Sequence, residues 1–237
     1  MTRDNANWAK PVAVLDASDI PGAVNANVRG RRLSGVAAGF GQLWQKTFRV
    51  RLAGADVTPE EVVRVWKQRY SELWPKGNRM FLPEGGIAPG GVGIINASFP
   101  GAPTMATGVL VVYADETSFS FMTPLGHPFT GIITFSAERD GDTTVAQVHE
   151  FVRATDPLWE IGAMVLLGRK QNEIWVATLR NLARLFGAEA EVEQTIVCVD
   201  RRRQWRGARN IVYNAGIRSG LYAASAPLRW IRRLSRS

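Results

Sequence analysis

The sequence is poor in the side chains that most metal sites and nucleophilic reactions need. Its 237 residues include two histidines, His127 and His149, and one cysteine, Cys198. A single cysteine excludes an intrachain disulfide, so the chain can fold in a reducing compartment. Two histidines 22 positions apart and one distant cysteine match no zinc-ligand spacing, and neither a metal nor a cofactor is expected. The nearest charge to Cys198 in the sequence is Asp200, which would raise the thiol pKa, and the cysteine reads as a structural thiol. No apolar run approaches the roughly 20 residues that span a bilayer. The start, MTRDNANWAK, lacks the charged-then-apolar pattern of a signal peptide. A cytoplasmic location is the expectation, with a peripheral position at the inner membrane surface as an extension of it.

Acidic residues are missing from residues 201–237, which hold ten arginines and no lysine. That leaves 19 basic against 21 acidic residues in 1–200, a net charge of −2, although the whole chain carries +8. The basic character belongs to the tail, and a partner attracted by charge would meet it there. Hydrophobic residues make up 46% and charged residues 21%, which suits a globular chain with a sizeable core and excludes a disordered one.

Residues 47–53 alternate, with Phe48, Val50 and Leu52 on one side, as in a half-buried strand. Thr58, Pro59 and Glu61 form a helix start, and Val62, Val65, Trp66, Tyr70, Leu73 and Trp74 follow on one stripe. Five segments rich in Val, Ile, Thr and Phe run over 91–154, separated by turn residues such as Asp140–Gly141. Short turns between consecutive strands imply an antiparallel sheet. Asp156 and Pro157 then open a long helix that Gly187 stops. Its apolar stripe is Leu158, Ile161, Val165, Gly168, Asn172, Trp175, Leu179, Leu182 and Phe186, interrupted at Gly168 and Asn172.

The expected fold class is α+β: a curved antiparallel sheet of about six or seven strands wrapped around one long C-terminal helix. Four segments follow: an irregular N-terminal arm (1–45) packing through Trp8, Phe40 and Trp44, the sheet-and-helix domain (46–187), a further edge strand (188–200) and a basic amphipathic tail (201–237). A curved sheet cannot touch a straight helix everywhere, so a cavity is expected between them. The run Thr58–Trp74, the strands around Gly108–Thr123, and the turns Gly126–His127–Pro128 and Asp140–Gly141 leading to Asp156–Pro157 carry a resemblance. Over about 42–187 the chain resembles the START-like superfamily, the polyketide cyclase/dehydrase or birch-pollen-allergen type with a helix-grip fold, in a bacterial branch. That resemblance implies an apolar pocket for a lipid, sterol, polyketide or similar molecule. Some relatives bind or carry; others catalyse cyclisation or hydrolysis, and the fold does not choose between them.

The residues expected to line a core or pocket are Phe48, Val50, Phe119, Phe121, Ile133, Phe135, Val165, Trp175 and Leu179, with Gly168 and Asn172 leaving room for a polar contact. His149 shares a strand face with Gln147 and Phe151, opposite Val148 and Val152, and alternation alone does not say which face looks inward. His149 and His127 are the candidates for acid/base chemistry if the chain is an enzyme. The glycine-rich stretch 85–91 lacks the ending of a phosphate loop and reads as a loop beside the pocket. In the tail, Arg201, Arg202, Arg203 and Arg206, then Arg229, Trp230, Arg232 and Arg233, pair charge with aromatics. Such a pattern suits an anionic membrane surface, with nucleic-acid phosphates or a protein partner as the less favoured alternatives. The leading expectation is a binder or carrier of a hydrophobic small molecule.

Overall fold

The computed structural model describes residues 5–17, 20–98, 104–189 and 191–226. Among these, the strands are β1 (Leu43–Arg51), β2 (Asn78–Phe81), β3 (Val92–Ala97), β4 (Met105–Ala114), β5 (Ser118–Met122), β6 (Phe129–Asp140), β7 (Thr143–Ala154) and β8 (Val192–Asp200). The helices are α1 (Pro59–Leu73), α2 (Pro157–Gly162), α3 (Gly168–Leu185) and α4 (Ala215–Ala224). A π-helical turn, Ala163–Leu167, joins α2 to α3, and a 3-10 helix, Trp205–Tyr213, precedes α4. All eight strands form one antiparallel sheet in the order β2-β3-β4-β5-β6-β7-β1-β8. The eighth strand is β2, a four-residue piece too short to carry an alternation signal. β1 also starts earlier than its alternation suggested, so Trp44 lies in the sheet and not in the arm.

The start signals act as capping chemistry requires. Thr58 Oγ1 accepts the Glu61 N–H at 3.2 Å, and Asp156 accepts the Trp159 N–H at 3.0 Å, each before a proline in the first turn. Residues of one parity on each strand form the concave face: Phe48 and Val50, Val109 and Val111, Phe119 and Phe121, Ile133 and Phe135, Val148 and Val152. Trp66 and Tyr70 of α1 meet Phe119 and Phe135 edge-on, with centroids 5.4–5.9 Å apart. Trp175, Leu179 and Leu182 of α3 complete this core. Gly131, at φ +142°, lets β6 bend where any Cβ would run into the Phe151 carbonyl.

The helix from Asp156 to Gly187 corrects the expectation of one apolar stripe. Its second half behaves as the spacing implies. In the first half, Leu158, Ile161 and Val165 point to solvent, and Val165 is 78% exposed. The π turn is the cause. It accommodates one extra residue, which rotates the preceding turns by about 100° relative to α3. The inward positions therefore become Glu160, which is buried, and Ala163, which packs on the core.

The other face of the sheet is covered too. Leu15, Ala17 and Val28 of the arm pack on Ile94 and Leu110, which explains why β4 is buried along both of its sides. Asn27 donates to the Ala106 carbonyl at 2.8 Å and to Ser219 Oγ at 3.1 Å, tying arm, β4 and α4 together. The basic segment is held along its described length. Gln204 N–H donates to the Phe40 carbonyl at 2.7 Å, buried Asn210 to Ala38 O and Thr155 O, and Asn214 to Asp156 Oδ2 at 3.0 Å. Gly216 and Gly220 lie within α4. Gly207 rests on backbone: a Cβ there would sit 2.6 Å from Gly39 C. Gly207→Ala should lower stability by about 1–3 kcal/mol and open residues 201–226 to proteolysis, read by urea denaturation and limited trypsin digestion; an unchanged digestion pattern would count against this docking.

Candidate functional site

Two cavities flank the first half of α3, and the larger of them lies between α3, the end of α1 and strands β2 to β6, with a volume of about 440 Å³. Met80, Ile95, Val109, Phe121 and Ile133 form its sheet wall; Tyr70, Trp74, Ile174 and Trp175 form its helical wall. Volumes of this order and a mostly apolar lining are those of small-molecule sites. Three polar atoms in residues of that wall are shielded from water: Tyr70 Oη and Trp74 Nε1, which make at most a weak contact with each other, and Thr107 Oγ1, which has no hydrogen-bond partner. Burial drives the Tyr70 hydroxyl pKa strongly upward, so it stays a neutral donor. His127 also lines this cavity, and burial lowers its pKa to about 4, against a partial upward effect of its contact with Phe129. His127 Nδ1 lies 2.8 Å from the Phe129 carbonyl and 3.1 Å from the Phe129 N–H, donating to the first or accepting from the second according to its tautomer. The ring is thus neutral around pH 7.

A second, smaller cavity of about 260 Å³ opens on the opposite side of the helix, lined by Trp44, Lys46, Val152, Met164, Gly168 and Asn172 among others. A buried polar network separates the two. Lys46 of β1 stands directly across from Glu150 of β7 in the sheet register. Lys46 Nζ is 3.7 Å from Glu150 Oε2, with side-chain exposures of 7% and 0%. The ammonium donates to Gln171 Oε1 at 2.8 Å and Asn172 Oδ1 at 2.9 Å. Glu150 Oε1 accepts from Gln171 Nε2 and Trp175 Nε1, both at 2.9 Å. Loss of hydration pushes the Glu150 pKa up and the Lys46 pKa down, while each partner's charge opposes the other's shift. Phe129, whose ring lies 5.5 Å from Lys46 Nζ, forms part of both cavities.

The residues singled out in the sequence are distributed unevenly over these features. Phe121, Ile133 and Trp175 line the larger cavity; Gly168 and Asn172 line the smaller one. Phe48, Val50, Phe119, Phe135 and Leu179 are packed core and line neither. Val165 is exposed, for the reason given by the π turn. His149 lies on the convex side with Gln147 and Phe151, while Val148, Glu150 and Val152 look inward; its pKa is lowered by partial burial. His127, read as a turn residue, reaches the larger cavity. The glycine-rich stretch 85–91 borders neither cavity. Arg201, Arg202, Arg203 and Arg206 are exposed, whereas Arg229, Trp230, Arg232 and Arg233 lie outside the described residues. Cys198 is free and half-buried on β8. Lys46 and Glu150 were missed, although the signal was there. Lys46 has the parity of Phe48 and Val50, and Glu150 that of Val148 and Val152. A charge on an apolar parity in each of two strands is a pairing signal.

One concave sheet face closed by α1 and the long α2–α3 helix defines the architecture. The fold is a helix grip, an antiparallel sheet closed by a long helix. No protein-family model matches the chain, and no curated protein does. Among solved structures, the chain is similar to the di-domain ARO/CYC protein StfQ from the steffimycin biosynthetic pathway, at 15% identity and TM-score 0.47 over 61% of this chain and 50% of that one. It therefore spans about half the length of StfQ. It is also similar to the major latex-like protein 151 of Panax ginseng, at 14% identity and TM-score 0.42 over 62% of this chain and 99% of that one. A third likeness is to the KanY protein, at 12% identity and TM-score 0.46, with the same coverage.

Two measurements test this helix-grip interior. Lys46→Met leaves the Glu150 charge without its cation and should cost about 3–5 kcal/mol near neutral pH. The loss should shrink toward acid pH, because the raised carboxyl pKa means a proton on Glu150 removes the buried charge. Equal losses at about pH 5 and about pH 8 by urea denaturation would contradict this account. His127 has its folded pKa lowered from 6.5 to about 4, so the unfolded chain takes up the proton first. Its contribution is intact above pH 6.5 and is lost as pH falls toward 4. In His127→Asn, the decline in stability between these values should be flatter by up to one proton.

Proposed function

We propose that this chain binds a hydrophobic small molecule, of lipid, sterol or polyketide-like character, in the larger cavity. The observation that supports this most directly is an apolar, aromatic-lined space whose wall residues hold three buried polar atoms, Tyr70 Oη, Trp74 Nε1 and Thr107 Oγ1, with no full hydrogen bond to the rest of the protein. Buried hydroxyl and indole groups are normally satisfied. Unpartnered atoms occur in the packed interior as well, at Trp66 Nε1 and Thr178 Oγ1; at this cavity an open space and such groups come together. A largely apolar ligand bearing an acceptor oxygen fills the first and gives the second a partner. Charged residues at this cavity are Lys76 in the turn after α1 and Lys170 and Glu173 on α3, so the body of the ligand meets carbon.

Turnover by cyclase or hydrolase chemistry is the second reading, and His127 is the observation that favours it. It is the histidine that lines the apolar cavity; its lowered pKa makes it a weak base, so its part there is to orient or hydrogen-bond a polar group of a bound substrate. His149, on the convex side, is not part of that reading.

The test is native mass spectrometry of protein from its own host, followed by extraction of the bound molecule, with saturable quenching of intrinsic tryptophan fluorescence on adding that molecule back. Val109→Trp, which fills the cavity from β4, should abolish quenching with the circular dichroism spectrum kept. Absence of any saturable ligand among fatty acids, sterols and aromatic polyketides would overturn the binding reading. Conversion of the extracted molecule by the wild type and not by His127→Gln would establish the second.

A further inference from the structure

The outward face of α2 and the π turn is apolar without a partner. Leu158, Ile161, Met164 and Val165 are 45%, 56%, 60% and 78% exposed. Single exposed apolar residues are ordinary, but a contiguous set on one helical face marks an interaction surface. The set is a consequence of the π turn. In a continuous α-helix in phase with α3, Ile161 and Val165 would face the sheet; the extra residue turns them out and places Glu160 inside. Glu160 is then held by the Gln42 N–H at 3.2 Å and by Arg203 Nε at 3.3 Å.

That last contact brings the basic segment to the edge of the apolar face. Arg203 Nη2 lies 3.8 Å from Met164 Sδ. Arg202, with 89% of its side chain exposed, and Trp205, 76% exposed, are its near neighbours in the chain. Exposed Arg169 follows four residues after Val165. The acidic groups nearby, Glu160 and Asp200, are engaged with Arg203 and with Arg153 and Arg202. Leu, Ile, Met and Val side chains ringed by arginine, with a tryptophan at the rim, have the chemistry of an interfacial membrane contact.

We infer that the α2–π-turn face, flanked by Arg169, Arg202 and Arg203, docks on an anionic lipid bilayer surface. Charge selects this occupant over the two others available. A second copy of the chain would bring the same arginines to the same edge. Residues 227–237 carry four more arginines and no acidic residue, so their charge also opposes settling there. Anionic headgroups complement the ring, each basic residue contributing about 1 kcal/mol near the surface, while the apolar side chains enter the headgroup boundary. No helix among the described residues is long and apolar enough to cross a membrane, so the contact is superficial. The inference stands apart from the cavity, since Leu158, Ile161 and Val165 line neither space.

The experiment is co-sedimentation of the full chain with vesicles of phosphatidylcholine alone or mixed with phosphatidylglycerol. Binding is expected only to the mixed vesicles and should weaken with salt. The double variant I161D/V165D should bind them about tenfold more weakly or less, with its circular dichroism and its cavity-ligand binding unchanged, because both sites already face water. R202Q/R203Q should weaken binding to a smaller extent. Wild-type binding by I161D/V165D, or no binding of the wild type to mixed vesicles, overturns the inference. So does a dimer in sedimentation velocity that I161D/V165D converts to monomer, since a second copy would then cover the face.

Discussion

The pairing of Lys46 with Glu150 across β1 and β7 is the constraint around which the interior is arranged. Two full charges at the centre of a sheet are costly unless each finds its opposite and a complete set of hydrogen bonds. Here Gln171, Asn172 and Trp175 supply hydrogen bonds from α3 to Lys46 Nζ and Glu150 Oε1, and Glu150 Oε2 faces the ammonium at 3.7 Å. The helix is therefore fixed in rotation and in height over the sheet, because a shift of one residue would remove the amides from both ions. The same network walls off the larger cavity from the smaller one. An apolar contact of equal area would hold the helix less specifically, since hydrophobic contacts do not discriminate register.

Fixing α3 in this way makes the π turn consequential. With the phase of the C-terminal half set by Trp175, Leu179 and the ion pair, one extra residue upstream cannot be absorbed by rotating α3. It rotates α2 instead. Glu160 goes inside to meet Arg203 and the Gln42 N–H, and three aliphatic side chains go outside. The basic segment is drawn to that side by Glu160 and by the backbone docking at Gly207. Thus the two features that looked separate in the sequence, a long helix and a basic extension, meet at one place on the surface.

Much of this was legible beforehand. The capping residues Thr58 and Asp156 marked both helix starts, and the turns Gly126–His127–Pro128 and Asp140–Gly141 marked the meander, because those signals are local and chemical. β2 was not legible, since four residues carry no period. The lining residues were only partly so. Phe121 and Phe119 have the same parity on β5, yet one borders the cavity and the other lies in the packed core. What separates them is where the helices stand over the sheet.

The sequence by itself determined the class of fold, the strand and helix order, the concentration of positive charge in the last segment, and the poverty of titratable groups for chemistry. These depend on composition, periodicity and capping, which act within a few residues. The tertiary structure alone decided that His149 faces outward, that Lys46 and Glu150 meet, that Leu158, Ile161 and Val165 are exposed, and that Arg203 reaches Met164 at the edge of that face. Each of those depends on a parity, a register or a helical phase, and these are set by contacts between segments distant in the chain. A shift of one residue in any of them exchanges the inside for the outside.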